Sequence, residues 1–237
     1  MKKVFLFSGK INSGKNQFAD FVGEIYKQKN KKVIADLFAA DLKKWSSEDF
    51  SGLAAVLNKI SSSLQKSVEV IEANRESYGL EKMGVITNLK EKINTLKIQP
   101  ENFFEDKTDI TRTLLQLYGT QIFRNRVDDD FWVKGTKKRI IEHDADIILI
   151  TDVRFPNEVD FISNCDEYET YSVRIRRELD RSGQEHEHIS ETALDDYEEF
   201  SYLIDNNAGL EELKKSAFGL VDDIEKIEDL AINFTKV

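Results

Sequence analysis

Cysteine is almost absent from this chain: Cys165 is the sole example among 237 residues. A single thiol builds neither a disulfide framework nor a cysteine-based zinc site. Histidine is nearly as scarce, with three copies. His186 and His188 stand beside Glu185, Glu187 and Glu191, but His-x-His in an acidic loop without further ligands is a poor zinc site. No apolar run reaches the roughly 20 residues that a bilayer demands. Met1-Lys2-Lys3 leads into a strand-like segment instead of a signal peptide, so a soluble cytoplasmic protein is expected. Positive charge is in deficit too: 34 Lys and Arg face 44 Asp and Glu, for a net charge of −10 and a pI near 5.0. That balance argues against broad binding of nucleic acid or anionic membrane, though it leaves space for a local basic cleft. Repeats and low-complexity tracts are missing.

What is present starts at the N-terminus. The apolar run Val4-Phe5-Leu6-Phe7 is followed by Ser8-Gly9-Lys10-Ile11-Asn12-Ser13-Gly14-Lys15-Asn16 and then by a helix-like segment from Gln17. Strand, glycine-rich turn and helix are the context of a phosphate-binding P-loop. Gly9 and Gly14 can adopt the angles that turn successive N–H groups toward an anion. The helix that follows adds its positive end. Lys10, Asn12, Ser13 and Gln17 complete the loop, and Lys15 is placed to reach β- and γ-phosphates. Asn16 stands where Ser or Thr normally offers a hydroxyl to magnesium; an Asn carbonyl is a weaker ligand. The competing view is a tight βα turn with Lys15 as a solvated cation.

Downstream, the pattern alternates. A helix is expected over Lys15–Gln28 with Phe18, Phe21, Val22 and Ile25 on its inner stripe. A second strand is expected over Lys32–Phe38, and a helix from Phe38-Ala39-Ala40-Asp41-Leu42-Lys43. Residues 46–108 read as a mostly helical insertion, with amphipathic stretches at Ser61–Ala73 and Val85–Leu96. A helix capped by Thr108 or Asp109 follows, with a break at Gly119-Thr120. Another helix is expected over 133–143. Ala145–Asp152 is a near-continuous apolar run, the mark of a strand covered on both faces. Strands at Tyr168–Ile175 and Phe200–Ile204 and a terminal helix at Glu211–Ile232 complete the series. The fold class expected is α/β: a doubly wound, parallel, five-stranded P-loop kinase sheet with helices on both faces and a helical insertion. One domain spans 1–237, with 46–108 as an insertion on the acceptor side and 174–192 as a lid.

Asp152 ends the buried strand, where ligands gather in open parallel sheets. A carboxylate there is the Walker-B arrangement for magnesium, and capping of the following turn is the alternative. Arg154 points to the same edge, and Pro156 stiffens the turn that follows. Arg112, Arg124 and Arg126 bracket an apolar helix; guanidinium forks match phosphate oxygens, while solvent-facing pairing with Asp128 to Asp130 is their other use, Arg126 foremost and Arg124 less so. Arg174-Ile175-Arg176-Arg177, with Arg181 and Gly183, forms a basic loop of the kind that phosphoryl-transfer enzymes close over ATP. His188-Ile189-Ser190-Glu191 starts a short helix with Ser190 near its cap.

These motifs, in this order, resemble the bacteriophage deoxynucleoside monophosphate kinases. The resemblance rests on Ser8-Gly9-Lys10 with Ser13-Gly14-Lys15, Phe38-Ala39 with Leu42-Lys43, Leu114-Leu115-Gln116 with Gly119-Thr120 and Arg124, and Trp132. It continues through Thr151-Asp152-Val153-Arg154-Phe155-Pro156-Asn157-Glu158, the most specific string, to His188 with Ser190-Glu191. Residues 46–108 match no part of the family pattern. The resemblance implies ATP and Mg2+ as cofactors, a deoxynucleoside monophosphate (dNMP) as acceptor, a homodimer, and the host cell cytoplasm. It implies ATP phosphates on Lys15 and the loop amides, with Asp41, Lys43, Arg112 and Arg124 near the acceptor and Gln116 at a base edge. Lys15, Asp152, Arg124 and Arg176 would carry catalysis, Arg177 would meet the donor nucleotide and Arg154 a phosphate. Asn16 and Asp152 are the metal candidates. Two positions depart from the family: Asn16-Gln17 replaces the usual Asp-Thr, and the proline that normally follows Asp41 is absent. Two rivals stand beside dNMP phosphorylation: a P-loop kinase for another phosphorylated metabolite, such as phosphomevalonate, and a nucleotide sensor without catalysis.

Overall fold

In the computed structural model, residues 1–73, 90–91, 109–178 and 189–234 are described; the side chains of 45–57, 71, 109–110, 112 and 231–234 are not. The chain divides into two compact units, residues 1–39 with 130–237, and residues 40–129. The expected helix at Val85–Leu96 lies almost wholly outside the described residues.

The first unit is built on one five-stranded sheet. Its strands are β1 (Lys2–Ser8), β2 (Val33–Asp36), β3 (Ile147–Val153), β4 (Tyr168–Arg176) and β5 (Tyr202–Asp205), ordered β2-β3-β1-β4-β5. Every pairing is parallel. β1 therefore sits centrally, which explains its unbroken apolar run: Val4, Phe5, Leu6 and Phe7 are all fully buried. Its alternation sorts them between two cores. Phe5 and Phe7 pack with α1 (Lys15–Gln28) and the C-terminal helix, numbered α7 below (Leu210–Phe234), through Phe18, Val22, Leu213 and Val221. Val4 and Leu6 pack on the other face. There they meet Val133 and Ile140 of one helix (Phe131–Glu142) and Val159 and Ile162 of another (Pro156–Ser163). Helices thus cover both faces of the sheet, as the alternating pattern implied.

The remaining helices, in chain order, are α2 (Ala39–Ala73), α3 (Asp109–Gln116), α4 (Phe131–Glu142), α5 (Pro156–Ser163) and α6 (Ile189–Thr192), ahead of α7. Helix α1 matches its expected bounds because its apolar stripe and its glycine start are both local signals. Strand β2 is shorter than the run Lys32–Phe38, since Asp36 and the backbone beyond it are drawn into other bonds. Arg139 of α4 donates to Asp36 Oδ2 at 3.0 Å and to the Leu37 carbonyl at 2.6 Å.

In the second unit the chain does not break at Gly119-Thr120. Helix α3 widens without interruption into a π-helical segment, Leu117–Arg124. Gly119 lets Leu42 pack closely on this segment: a β-carbon there would fall 2.8 Å from Leu42 Cδ2. Arg124 closes the segment with its side chain only 5% exposed, donating to the Asp129 carbonyl at 3.1 Å.

Candidate functional site

The sheet register brings one end of three strands level. Ser8, the last residue of β1, pairs with Val153 of β3 on one side and Arg174 of β4 on the other. The carboxyl ends of β1, β3 and β4 therefore form a common rim, the position at which open α/β sheets bind ligands.

The glycine-rich loop leaves β1 at this rim. Asn12 and Gly14 have positive φ values of 63° and 90°. Gly14 serves as the N-cap of α1 and brings no side chain to its first amides, and no acidic residue occupies the first turn. Nothing in that turn competes with an anion for the helix's positive end. Asn206, just past β5, donates to the Ser13 carbonyl at 2.8 Å and sits against Gly14, where a β-carbon would be 2.4 Å from its Nδ2. A β-carbon on Gly9 would lie 2.4 Å from Ser13 Oγ and 2.7 Å from the Ile175 carbonyl. Ser13 Oγ is buried and has no hydrogen-bond partner among the described residues. A tight turn with backbone at close quarters and an orphan hydroxyl fits a phosphate cradle.

Lys15, Ser8, Gly9, Asp152, Arg154 and Arg174 line one small cleft with Ser190 and Glu191. A second cleft beside it is lined by Lys10, Ser13, Arg174, Arg176 and Arg177. Arg177 also donates to the Asn12 carbonyl at 3.3 Å. Asn16 and Gln17 are exposed on the first turn of α1. The loop residues and Asp152, Arg154, Arg176 and Arg177 thus gather at one rim. Asp41, Lys43, Arg112, Gln116 and Arg124 belong to the second unit. The Arg112 side chain, and Arg181, Gly183, His186 and His188 altogether, lie outside the described residues.

Asp152 has a structural engagement as well. Its Oδ1 accepts the Phe38 amide at 2.8 Å and its Oδ2 the Ala39 amide at 2.9 Å, at the start of α2. The turn that follows β3 is capped instead by Glu158, 2% exposed, whose Oε2 accepts the Arg154 amide at 2.6 Å and the Phe155 amide at 3.1 Å. A carboxylate has about four lone-pair sites, so Asp152 retains acceptor capacity after holding two amides. A carboxylate lining this cleft is the kind of ligand magnesium takes, since that ion keeps much of its water and few protein ligands. Ser190 is the second residue of α6, at the start of the helix.

Asp195 carried no site role in the sequence, and Arg174 only that of a member of the basic lid string, yet the two are central here. Arg174 donates to Ser8 Oγ at 2.8 Å and to Asp195 Oδ1 at 2.9 Å, and stacks 5.9 Å from the Phe200 ring. Burial and the neighbouring Arg176 push its guanidinium below the usual arginine value, while Asp195 opposes them. The basic string Arg174–Arg177 was legible; that Arg174 is held against Ser8 and Asp195 while Arg176, two residues on and on the same face of β4, stays exposed depends on tertiary neighbours.

Comparison with known proteins agrees with this geometry. A family model described as deoxynucleotide monophosphate kinase matches residues 51–217. That range contains β3, β4 and the rim residues they carry, and begins after the glycine-rich loop. The deoxynucleoside-5'-monophosphate kinase of Escherichia phage T5 is 34% identical over 64 residues, covering 27% of this chain and 26% of that protein. The alignment thus spans about a quarter of the relative's length. No helix among the described residues is long and apolar enough to cross a membrane.

Proposed function

The chain belongs to the deoxynucleotide monophosphate kinase family, and from that premise we propose that it transfers the γ-phosphoryl group of ATP to a dNMP, giving ADP and dNDP. The observation that carries this is the meeting of Lys15, Asp152, Arg154 and Arg174 around one cleft beside a glycine-rich helix start. A polyphosphate is the class of substrate whose oxygens match these cations.

The donor's phosphates lie along the loop amides from Gly9 to Gln17, with Lys10, Lys15 and Arg177 as side-chain contacts. The acceptor is held by Asp41, Lys43, Arg112, Gln116, Arg124 and Arg154. Its phosphate is already anionic, so no strong general base is required. One of its oxygens forms a bond to the γ-phosphorus as the bond to the β,γ-bridging oxygen breaks, and the electron pair leaves with ADP. Catalysis is positioning plus cations matched to charge on the moving group. Lys15, Arg124 and Arg176 supply those cations. Mg2+, held by Asp152 and Asn16, would neutralise charge on the donor's phosphates.

The test is ADP release from ATP and Mg2+ across dNMPs, NMPs and phosphomevalonate. Turnover with dNMPs is expected. Turnover with phosphomevalonate alone would assign a different acceptor, and ATP binding without turnover across the panel would overturn the kinase assignment in favour of a sensor.

A further inference from the structure

Two carboxylates stand against the cations of this rim. Asp195 bridges two of them: its Oδ2 is 2.7 Å from Lys10 Nζ and its Oδ1 is 2.9 Å from Arg174 Nη2. Glu191, in α6, pairs with Arg154 Nη1, which also donates to the Ser190 carbonyl at 3.3 Å. Lys10, Arg174, Arg154, Glu191 and Asp195 all line the two clefts described above.

A phosphate would satisfy the same cations. A carboxylate offers two oxygens to one fork or to two cations, as a phosphate does. The Arg174 side chain is 11% exposed, and the lowering of its proton affinity by burial shows that it needs a counter-charge nearby. Asp195 itself is held by its neighbours in the chain. Leu194 is 3% exposed in the core with Leu6 and Val153, and Tyr197 donates to Asp160 at 2.7 Å. The Asp195 side chain remains 34% exposed, so it can turn to water by a rotamer change while its backbone stays packed.

We propose that Asp195 is an internal counter-ion that occupies Lys10 and Arg174 in place of a nucleotide's phosphate oxygens and is displaced when the polyphosphate binds. This rests on the rim being the phosphate site. Its consequence is a competition built into the chain: each binding event must break two ion pairs before it forms new ones, which weakens affinity and favours release of the spent nucleotide. Partly exposed pairs contribute modestly, so removing the competitor should tighten binding roughly three- to tenfold.

The experiment measures inorganic tripolyphosphate binding by calorimetry at fixed ionic strength. It compares wild type, Asp195→Asn, Asp195→Ala, Asp196→Asn as the exposed neighbour, and Lys15→Ala. Tightening in both Asp195 variants, with Asp196→Asn unchanged, is the expected result. Binding that Lys15→Ala weakens but neither Asp195 variant tightens would overturn the counter-ion role and leave the phosphate site standing. No binding by the wild type would overturn both. A wild-type structure with tripolyphosphate checks the same point without a substitution. Lys10 and Arg174 on phosphate oxygens with Asp195 turned away would support it, and Asp195 still bridging them would refute it.

Discussion

Asn206 donates its side-chain amide to the main-chain carbonyl of Ser13 across 2.8 Å, in a buried contact between residues 193 positions apart. Strand β5 thereby holds the far side of the glycine-rich loop, which the sequence places next to β1 alone. Removing the amide leaves the Ser13 carbonyl without that donor, which costs about 1–3 kcal/mol. Asn206→Ala should lower the melting temperature and weaken ATP binding together. A variant with intact ATP affinity would show that the loop keeps its shape without β5.

Gly14 meets the same amide from the other side. At φ 90° an L-residue is strained, and a β-carbon would lie 2.4 Å from Asn206 Nδ2. Gly14→Ala should therefore abolish ATP binding and destabilise the protein by about 1–3 kcal/mol. Because both changes break one bond, their effects should not add. A double-mutant cycle in which Gly14→Ala and Asn206→Ala add fully would contradict the shared contact.

Lys15 carries the largest single share of the proposed chemistry. Lys15→Ala should lower kcat by about 10²–10³, the loss seen when one preorganised donor is removed from a charged transition state. Far-UV circular dichroism should be unchanged, because Lys15 lies half-buried at the start of α1 and takes no part in either core. Near-normal turnover in that variant would refute the proposed role.

Asp152 divides its carboxylate between two amides and the cleft. In Asp152→Asn one oxygen becomes an NH2 group facing a backbone donor, at a cost of about 1–3 kcal/mol. If Asp152 also holds magnesium, the concentration of Mg2+ giving half-maximal turnover should rise about tenfold or more. A lower melting temperature with an unchanged magnesium titration would restrict Asp152 to fixing the start of α2.

Tyr26 is 2% exposed, and its hydroxyl has no hydrogen-bond partner among the described residues. Burial first, then Glu225 and Glu228, push its phenol above the ordinary value. The folded chain thus keeps this proton where the unfolded chain, with a phenol near about 10, loses it. The resulting stability is whole below about pH 10 and falls as pH rises further. Tyr26→Phe should stabilise the protein by about 1 kcal/mol at neutral pH and flatten its alkaline loss, as read by urea unfolding at pH 8 and 11.

Much of the first unit was legible in the chain. The apolar stripe Phe18, Phe21, Val22, Ile25 specified α1, and the apolar run into Asp152 specified β3. Less was legible wherever a distant partner intervenes. Strand β2 stops at Asp36 because Arg139, 103 positions away, binds it. The π-helical turn at Leu117–Arg124 carries the same residues an ordinary helix would, and no local signal marked it.

By itself the sequence determined the glycine-rich loop between β1 and α1, the alternation of strands and helices, and the basic residues near the ends of β3 and β4. These are local properties: glycine's freedom at positive φ, the period of an apolar face, and the chemistry of a turn all act within a few residues. Tertiary structure alone decided which charges meet. The order β3-β1-β4 sets Ser8 beside Val153 and Arg174, and the fold returns Asp195 to Lys10 and Arg174. Ion pairs and amide caps need only a few ångströms in space and no closeness in sequence, so they become visible only once the strands have found their neighbours.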